Sequence, residues 1–318
     1  MLYRRIGESD VEVSVLGLGG HEYLPNGRSR GFNEDAKLAV TPGYLFEDFG
    51  NQQRKLVLAA AFDHGINVFD ATIDSEKEAL GRNLEEIPPP YEVYVQTRPE
   101  GMVYTYDPYN RQMAQYDLLR AEVIRGLSLL RRERLDFLNI APMATALEDD
   151  PDYLDKLADN VRRLKQEGLI RFACADTFSG EMMYLQEIAT GCFDAIYINF
   201  NFADDCGRHE VLPAARERGM AVFTREAFMK GALFKMGEDV GLTDRNRLAK
   251  LALKWTLSVP EVTLVMVGVD TPKQLANNVA VLDDPQLSEE DYALLQQLKS
   301  SPTYQSFAKQ KAVQFGYG

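Results

Sequence analysis

The chain has 318 residues, 45% of them hydrophobic and 26% charged, the proportions of a globular protein with a sizeable core. Its 48 acidic residues outnumber 35 basic ones, and the formal net charge of −13 sets it against nucleic acid and anionic membranes as partners. Three widely spaced cysteines (Cys174, Cys192, Cys206) form no CxxC pair and read as reduced thiols; no apolar run reaches signal-peptide or membrane-span length, so the cytoplasm is the expected location.

In chain order, apolar segments 2–6 and 11–13 flank Gly-Glu-Ser-Asp and predict a β-hairpin. Short, largely apolar runs follow at 14–18, 67–70, 92–96, 135–140, 170–174, 195–198, 221–224 and 262–267. Each has the composition of a strand buried on both faces. Segments of helical periodicity lie between them. One of these, 52–64, ends at His64-Gly65, with the glycine suited to a helix C-cap. A last helix is expected over 288–299, opened by Ser-Glu-Glu-Asp. No repeat, low-complexity tract or linker interrupts the pattern. Residues 1–318 are therefore read as one α/β domain, a (β/α)8 TIM barrel with an N-terminal hairpin and an extra C-terminal helix.

Two connections are long for this fold, residues 20–51 after the first strand and 99–115 after the third. Both leave the C-terminal ends of strands, where barrel enzymes build their sites, and are expected to act as lids or binding loops.

The same strand ends gather His21, Glu22, Asp70, Arg98, Asp176, Arg225 and Glu226 around one barrel mouth. Charged side chains seldom occupy such positions without partners, so the mouth points to a small, polar, anionic or hydroxylated molecule. His21 directly follows Gly-Leu-Gly-Gly and has two readings: an acid or base near neutral pH, or a rim residue holding the long loop. Arg98 stays protonated, so it can hold a carboxylate, a phosphate or an oxyanion but is a poor proton donor. Arg225 is either a second cation for the ligand or the partner of Asp176 and Glu226. Tyr23 in the first loop, and Tyr104, Tyr106 and Tyr109 in the second, are phenol donors or aromatic walls. The catalytic candidates are thus His21, Asp70 and Arg98, and the substrate-binding candidates are Glu22, Tyr23, Tyr106, Asp176, Arg225 and Glu226. His64 and His209 read as structural. No HxH or HExxH spacing supports a metal site, and none is expected.

Several segments, in order and at matching spacing, resemble the aldo-keto reductases. They are YRRIGESDVEVSVLGLGG, HGINVFDATIDSEKEALGRNL, LKQEGLIRFACADTFSG, VFTREAFMKGALF and VTLVMVGVDTPKQLANNV. The resemblance implies a barrel enzyme using Tyr as proton donor, Lys and Asp to tune it, and His to orient a carbonyl. Asp70 occupies the Asp position. The Tyr is absent from the following Ala-Thr-Ile-Asp-Ser, the Lys position holds Arg98, and the His position holds Ala141. An Asp70–Arg98 ion pair is expected in place of the family's Asp–Lys pair.

The cofactor side departs as well. The family's Ser-Asn after the fifth strand becomes Asp176-Thr177, and its Gln on the sixth falls at Tyr197. Its aromatic platform and Ser-Pro-Leu become Thr224 and Arg225-Glu226-Ala227-Phe228. The basic residue that often grips a 2′-phosphate after the eighth strand is replaced, with Asp270 nearby, which disfavours NADP(H) and leaves NAD(H) open. The GVDTPKQL turn still opens a helix N-terminus able to meet an anion.

Three functions compete. The favoured one is an isomerase or lyase that moves protons on a small, anionic, oxygenated substrate, sugar-like or a hydroxy or keto acid. The second is a nicotinamide-dependent oxidoreductase with displaced catalytic groups, and the third a non-catalytic ligand-binding or regulatory barrel. The sequence does not set the oligomeric state.

Overall fold

Period-two alternation along eight parallel strands decides which side chains fill the barrel and which line its mouth. The computed structural model describes residues 1–24, 28–32, 34–102 and 107–317. Strands β1 (Tyr3–Arg5) and β2 (Glu12–Ser14) form the antiparallel hairpin. The barrel strands are β3 (Leu16–Leu18), β4 (Val68–Ala71), β5 (Tyr94–Thr97), β6 (Leu135–Ile140), β7 (Ile170–Ala175), β8 (Ala195–Asn199), β9 (Ala221–Arg225) and β10 (Leu264–Val267). They pair in sequence order, all parallel, and β10 closes on β3.

Helices α1 (Ala36–Ala39) and α2 (Gln52–Asp63) precede β4, α3 (Asp74–Glu86) precedes β5, and α4 (Tyr116–Leu130) precedes β6. They are followed by α5 (Ala144–Asp149), α6 (Tyr153–Gln166), α7 (Glu181–Ala189), α8 (Val211–Glu217), α9 (Ala232–Asp239), α10 (Arg245–Leu257) and α11 (Pro272–Val279). The chain ends with α12 (Glu289–Lys299) and α13 (Pro302–Phe315). Among the described residues no helix is long and apolar enough to cross a membrane.

Two differences from the sequence reading have local causes. Ser14 belongs to the hairpin, opposite Tyr3, and the barrel strand starts at Leu16. Ser14 Oγ donates to the Leu16 carbonyl at 2.7 Å, which turns the chain between the two sheets. The helix over 289–299 is followed by another, α13. Pro302 looks like a stop signal but sits at N1, where its missing N–H costs nothing, and the Ser301 side chain caps Tyr304 N.

The hairpin plugs the bottom of the barrel. Ile6, Val11 and Val13 pack on the inward side chains Val68, Tyr94, Phe137, Cys174, Phe223 and Leu264. Each large side chain buried there contributes on the order of 1.5–3 kcal/mol. Two residues further along the same strands the inward positions turn polar: Asp70, Gln96, Asn139, Asp176 and Arg225. Strand register fixes their neighbours, with Asp70 beside Gln96 and Arg225 beside Asn199. A sealed apolar floor thus carries a polar layer open only at the top.

Candidate active site

The chain reaches the mouth from β3 through Gly19-Gly20. A Cβ on Gly20 would come within 2.5 Å of the Asp70 carbonyl and 2.8 Å of Glu76 Oε2, so only glycine permits this approach. The next residue, His21, is thereby set against the first turn of α3. Its Nδ1 lies 2.5 Å from Glu76 Oε1; Glu76 is 1% exposed and His21 33%. Glu76 Oε2 accepts from the Thr72 backbone N–H at 2.7 Å. Burial alone would lower the His21 pKa, but the Glu76 charge and hydrogen bond outweigh it, and the net shift is upward. Burial would raise the Glu76 carboxyl, but His21 and the Thr72 N–H hold it below its ordinary value. The pair is an imidazolium on a carboxylate. The Phe32 ring lies 5.2 Å from the imidazole, and the Arg98 guanidinium lies 5.7 Å from the Phe32 centroid.

Asp70 lies on the mouth floor. Its Oδ2 accepts from the Tyr197 hydroxyl at 3.3 Å and from Thr72 Oγ1 at 3.4 Å. The expected direct Asp70–Arg98 ion pair does not form; Arg98 acts on this carboxylate through its charge at longer range. Burial first, and the Glu76 charge second, lift the Asp70 carboxyl to about 6, restrained by His21, Arg225 and Arg98. One mouth therefore holds a histidine kept protonated and a carboxyl poised to exchange protons near neutrality, the division of labour expected of an acid and a base.

On the opposite wall Arg225 meets Asp176 through two parallel hydrogen bonds of 2.6 Å. Arg225 Nε donates to Asn199 Oδ1 at 2.6 Å, and its guanidinium lies 4.6 Å from the Tyr197 ring centroid. Asp176 also accepts from Asn139 Nδ2 at 3.1 Å and the Tyr184 hydroxyl at 3.3 Å. Burial would lower the Arg225 pKa, but the Asp176 charge and hydrogen bonds drive it upward. Arg225 is therefore committed to Asp176 rather than to Glu226. Glu226, at a left-handed φ of 61°, pairs instead with Lys230 at 2.9 Å and Lys311 of α13 at 3.3 Å. It ties the C-terminal helix to the barrel rim.

The described parts of the long loops are held by specific contacts. Glu22 accepts from Gly50 N at 2.6 Å and pairs with Arg30 at 3.2 Å, so its carboxylate clasps the first loop onto itself. The Tyr23 hydroxyl lies against Gly268, where a Cβ would come within 2.3 Å of it. Burial and the Glu76 charge push this phenol up to about 12, away from the range of a readily ionised donor.

The first turn of α3, where the resemblance expects the catalytic Tyr, holds both loops instead. Asp74 Oδ2 accepts from Gly43 N at 2.6 Å and Ser75 Oγ from Phe46 N at 2.9 Å. Lys77 Nζ reaches Asp74 at 3.0 Å and Glu100 of the second loop at 3.7 Å. Tyr104 and Tyr106 lie outside the described residues. Tyr109 is exposed, under Arg111. His64 is the C-cap residue of α2, and His209 packs on Tyr317.

Sequence reasoning missed Glu76 and Tyr197 as site residues. In the sequence Glu76 is one of two acids in a helix's first turn, an ordinary dipole-matching position. Tyr197 was noted only as a replaced glutamine.

The residues present do not suit a nicotinamide ring held in the family's manner. Asp176, Tyr197 and Arg225, which stand at three of its cofactor-side positions, are bound to one another. At the α11 N-terminus Gln274 Oε1 already accepts from Asp270 N at 2.7 Å and Thr271 N at 3.1 Å, and Thr271 caps Gln274 N. Among the described residues no three His, Cys, Asp or Glu side chains are arranged to hold a metal ion.

Comparison with known proteins agrees with the architecture. The aldo/keto reductase family model matches residues 46–247 and 238–300. The chain is 21% identical over 309 residues to L-galactose dehydrogenase of Arabidopsis thaliana, covering 88% of each protein. The holo form of aldo-keto reductase AKR11C1 from Bacillus halodurans superposes with a TM-score of 0.68 at 18% identity, over 94% of this chain and 96% of that one.

Proposed function

The chain belongs to the aldo/keto reductase family, and from that premise we propose that it is an isomerase or lyase that moves protons on a small anionic, oxygenated substrate without a change of redox state. The observation that carries this reading is the His21–Glu76 pair at 2.5 Å beside Asp70. Asp70, as carboxylate, takes the proton from a carbon next to a carbonyl or carboxylate group. The electron pair of that C–H bond moves onto the oxygen, where Arg98 compensates the charge. His21, bound to Glu76 through Nδ1, has Nε2 left to protonate a departing hydroxyl, which leaves as water in a lyase. In an isomerase the same proton goes to the neighbouring carbon, and the hydroxyl on the first carbon passes its proton to the enolate oxygen as it becomes the new carbonyl. Exchange with solvent returns a proton to His21 and removes one from Asp70. Tyr23 serves as a wall for the substrate, a sugar-like molecule or a hydroxy or keto acid.

The test is solvent exchange. Candidate hydroxy acids, keto acids and sugar acids are incubated with the protein in deuterium oxide and followed by proton NMR. Loss of a C–H signal with wild type, abolished in His21→Gln and in Asp70→Asn, supports the reading. Exchange equal in all three proteins counts against it.

A second reading, a nicotinamide-dependent oxidoreductase preferring NAD(H), is favoured by the likeness to a dehydrogenase. It requires Arg225 to release Asp176 when a cofactor enters.

A further inference from the structure

Between α2, α3 and the end of β4 lies a small cavity of about 20 Å³, lined by Gly20, Gly50, Arg54, Asp70, Glu76 and Asn83 among others. That volume holds one water molecule, which needs roughly 10–15 Å³ and two or more polar partners. Arg54 enters from α2. Its Nη2 donates to the Gly19 carbonyl, whereas its Nη1 is buried with no hydrogen-bond partner. A buried guanidinium N–H left unsatisfied is costly, and the wall it shares with Glu76 supplies an acceptor.

We propose that one ordered water fills this cavity and bridges Arg54 Nη1 to the Glu76 carboxylate, which makes Arg54 a positioning residue for the His21–Glu76 pair. The inference rests on the acid–base reading of that pair. Glu76 then has three supports: the imidazole, the Thr72 N–H and, through the water, the guanidinium. The bridge fixes the carboxylate from behind and balances part of its charge, so that His21 feels a partly neutralised partner.

The charged groups around the pair come from every element packed on it. Asp70 from β4 and Arg98 beyond β5 act on His21, and Tyr23 of the first loop acts on Glu76; Arg225 at the end of β9 acts on Asp70, and Glu22, Tyr23 and Asp270 beyond β10 act on Arg54. His21, the Thr72 N–H and the Arg54 charge together hold Glu76 ionised.

The experiment needs no substrate. The chain has three histidines, so the His21 imidazole can be titrated by NMR in the whole protein. Replacing Arg54 by Met removes a cation behind Glu76 and is expected to raise the His21 midpoint by roughly 0.5–1 unit. Arg54→Lys, which keeps the charge, is expected to restore most of the wild-type value. An unchanged midpoint in folded Arg54→Met overturns the positioning role. A crystal structure of the wild-type protein is expected to show one water within hydrogen-bond reach of Arg54 Nη1 and Glu76; an empty cavity, or a direct Arg54–Glu76 contact, overturns the bridge. Failure of the acid–base reading itself would show in the solvent-exchange experiment and leave both of these results untouched.

Discussion

Arg225 and Asp176 grip each other through two 2.6 Å hydrogen bonds, with Asp176 4% and Arg225 17% exposed. A bidentate pair this enclosed is held by its own complementarity, and either partner alone is a buried charge. Replacing Arg225 by Met is expected to destabilise the fold by about 3 kcal/mol. Adding Asp176→Asn to it should recover part of that loss, because the stranded carboxylate is gone. Urea unfolding of the single and double variants checks both statements.

The pH dependence follows from the two shifted groups. Asp70 must be ionised to accept a proton, and burial lifts its pKa to about 6. Activity is expected to rise with pH through that value. His21 must be protonated to donate, and its pKa is raised above 6.5 by Glu76 against the effect of burial. Activity is expected to fall on the alkaline side as that proton leaves. The two limbs belong to a coupled pair, so Glu76→Gln should move both to lower pH, the alkaline limb because His21 loses its carboxylate partner and the acid limb because Asp70 loses the neighbouring charge. The pH profile of the exchange reaction, wild type against Glu76→Gln, checks this.

Much of this architecture is written in the sequence. Short apolar runs at regular spacing place the eight strands to within a few residues because each is buried on both faces, where composition is most constrained. The charged mouth is also legible, since Asp70, Asp176 and Arg225 fall two residues beyond apolar inward positions on their strands. The partnerships are not legible. Glu22 and Glu226 look like ligand-binding acids, yet Gly50, Arg30, Lys230 and Lys311 claim them. Those partners come from distant segments, and only the closed barrel brings them together. Glu76 was hidden for the opposite reason: local helix physics already explained an acid at that position.

Glu187 gives a stability prediction. It is fully buried on α7, no side chain hydrogen-bonds to its carboxyl, and burial, opposed only by the Asp176 backbone N–H, drives its pKa well above 4.5. The native state therefore keeps a proton that the unfolded chain releases above pH 4.5, so this residue costs stability progressively as pH rises from there. A difference of one in pKa between the folded and unfolded states is worth about 1.4 kcal/mol. Glu187→Gln is expected to stabilise the protein at pH 7 by at least about 1 kcal/mol and to change little at pH 4. Unfolding at both values checks the sign.

Lys77 joins the two long loops through Asp74 and Glu100, all three nearly inaccessible. Lys77→Met strands the Glu100 carboxylate, while Asp74 keeps Arg125. A loss of about 3 kcal/mol is expected. Faster amide hydrogen exchange should appear in residues 40–50 and 99–102, with the strands unaffected. Exchange followed by mass spectrometry distinguishes this loosening from a uniform loss of stability.

The proposed acid–base chemistry takes place at a mouth whose nicotinamide contacts are closed on one another. Titration of purified protein with NADH and NADPH by calorimetry distinguishes it from hydride transfer. Tryptophan emission is the poorer reporter, because Trp255 packs on Phe200 and Phe202 on the outer helix α10. The expected result is no saturable heat up to millimolar concentration of either cofactor. Micromolar binding of NADH or NADPH would contradict that chemistry and return the protein to the oxidoreductases.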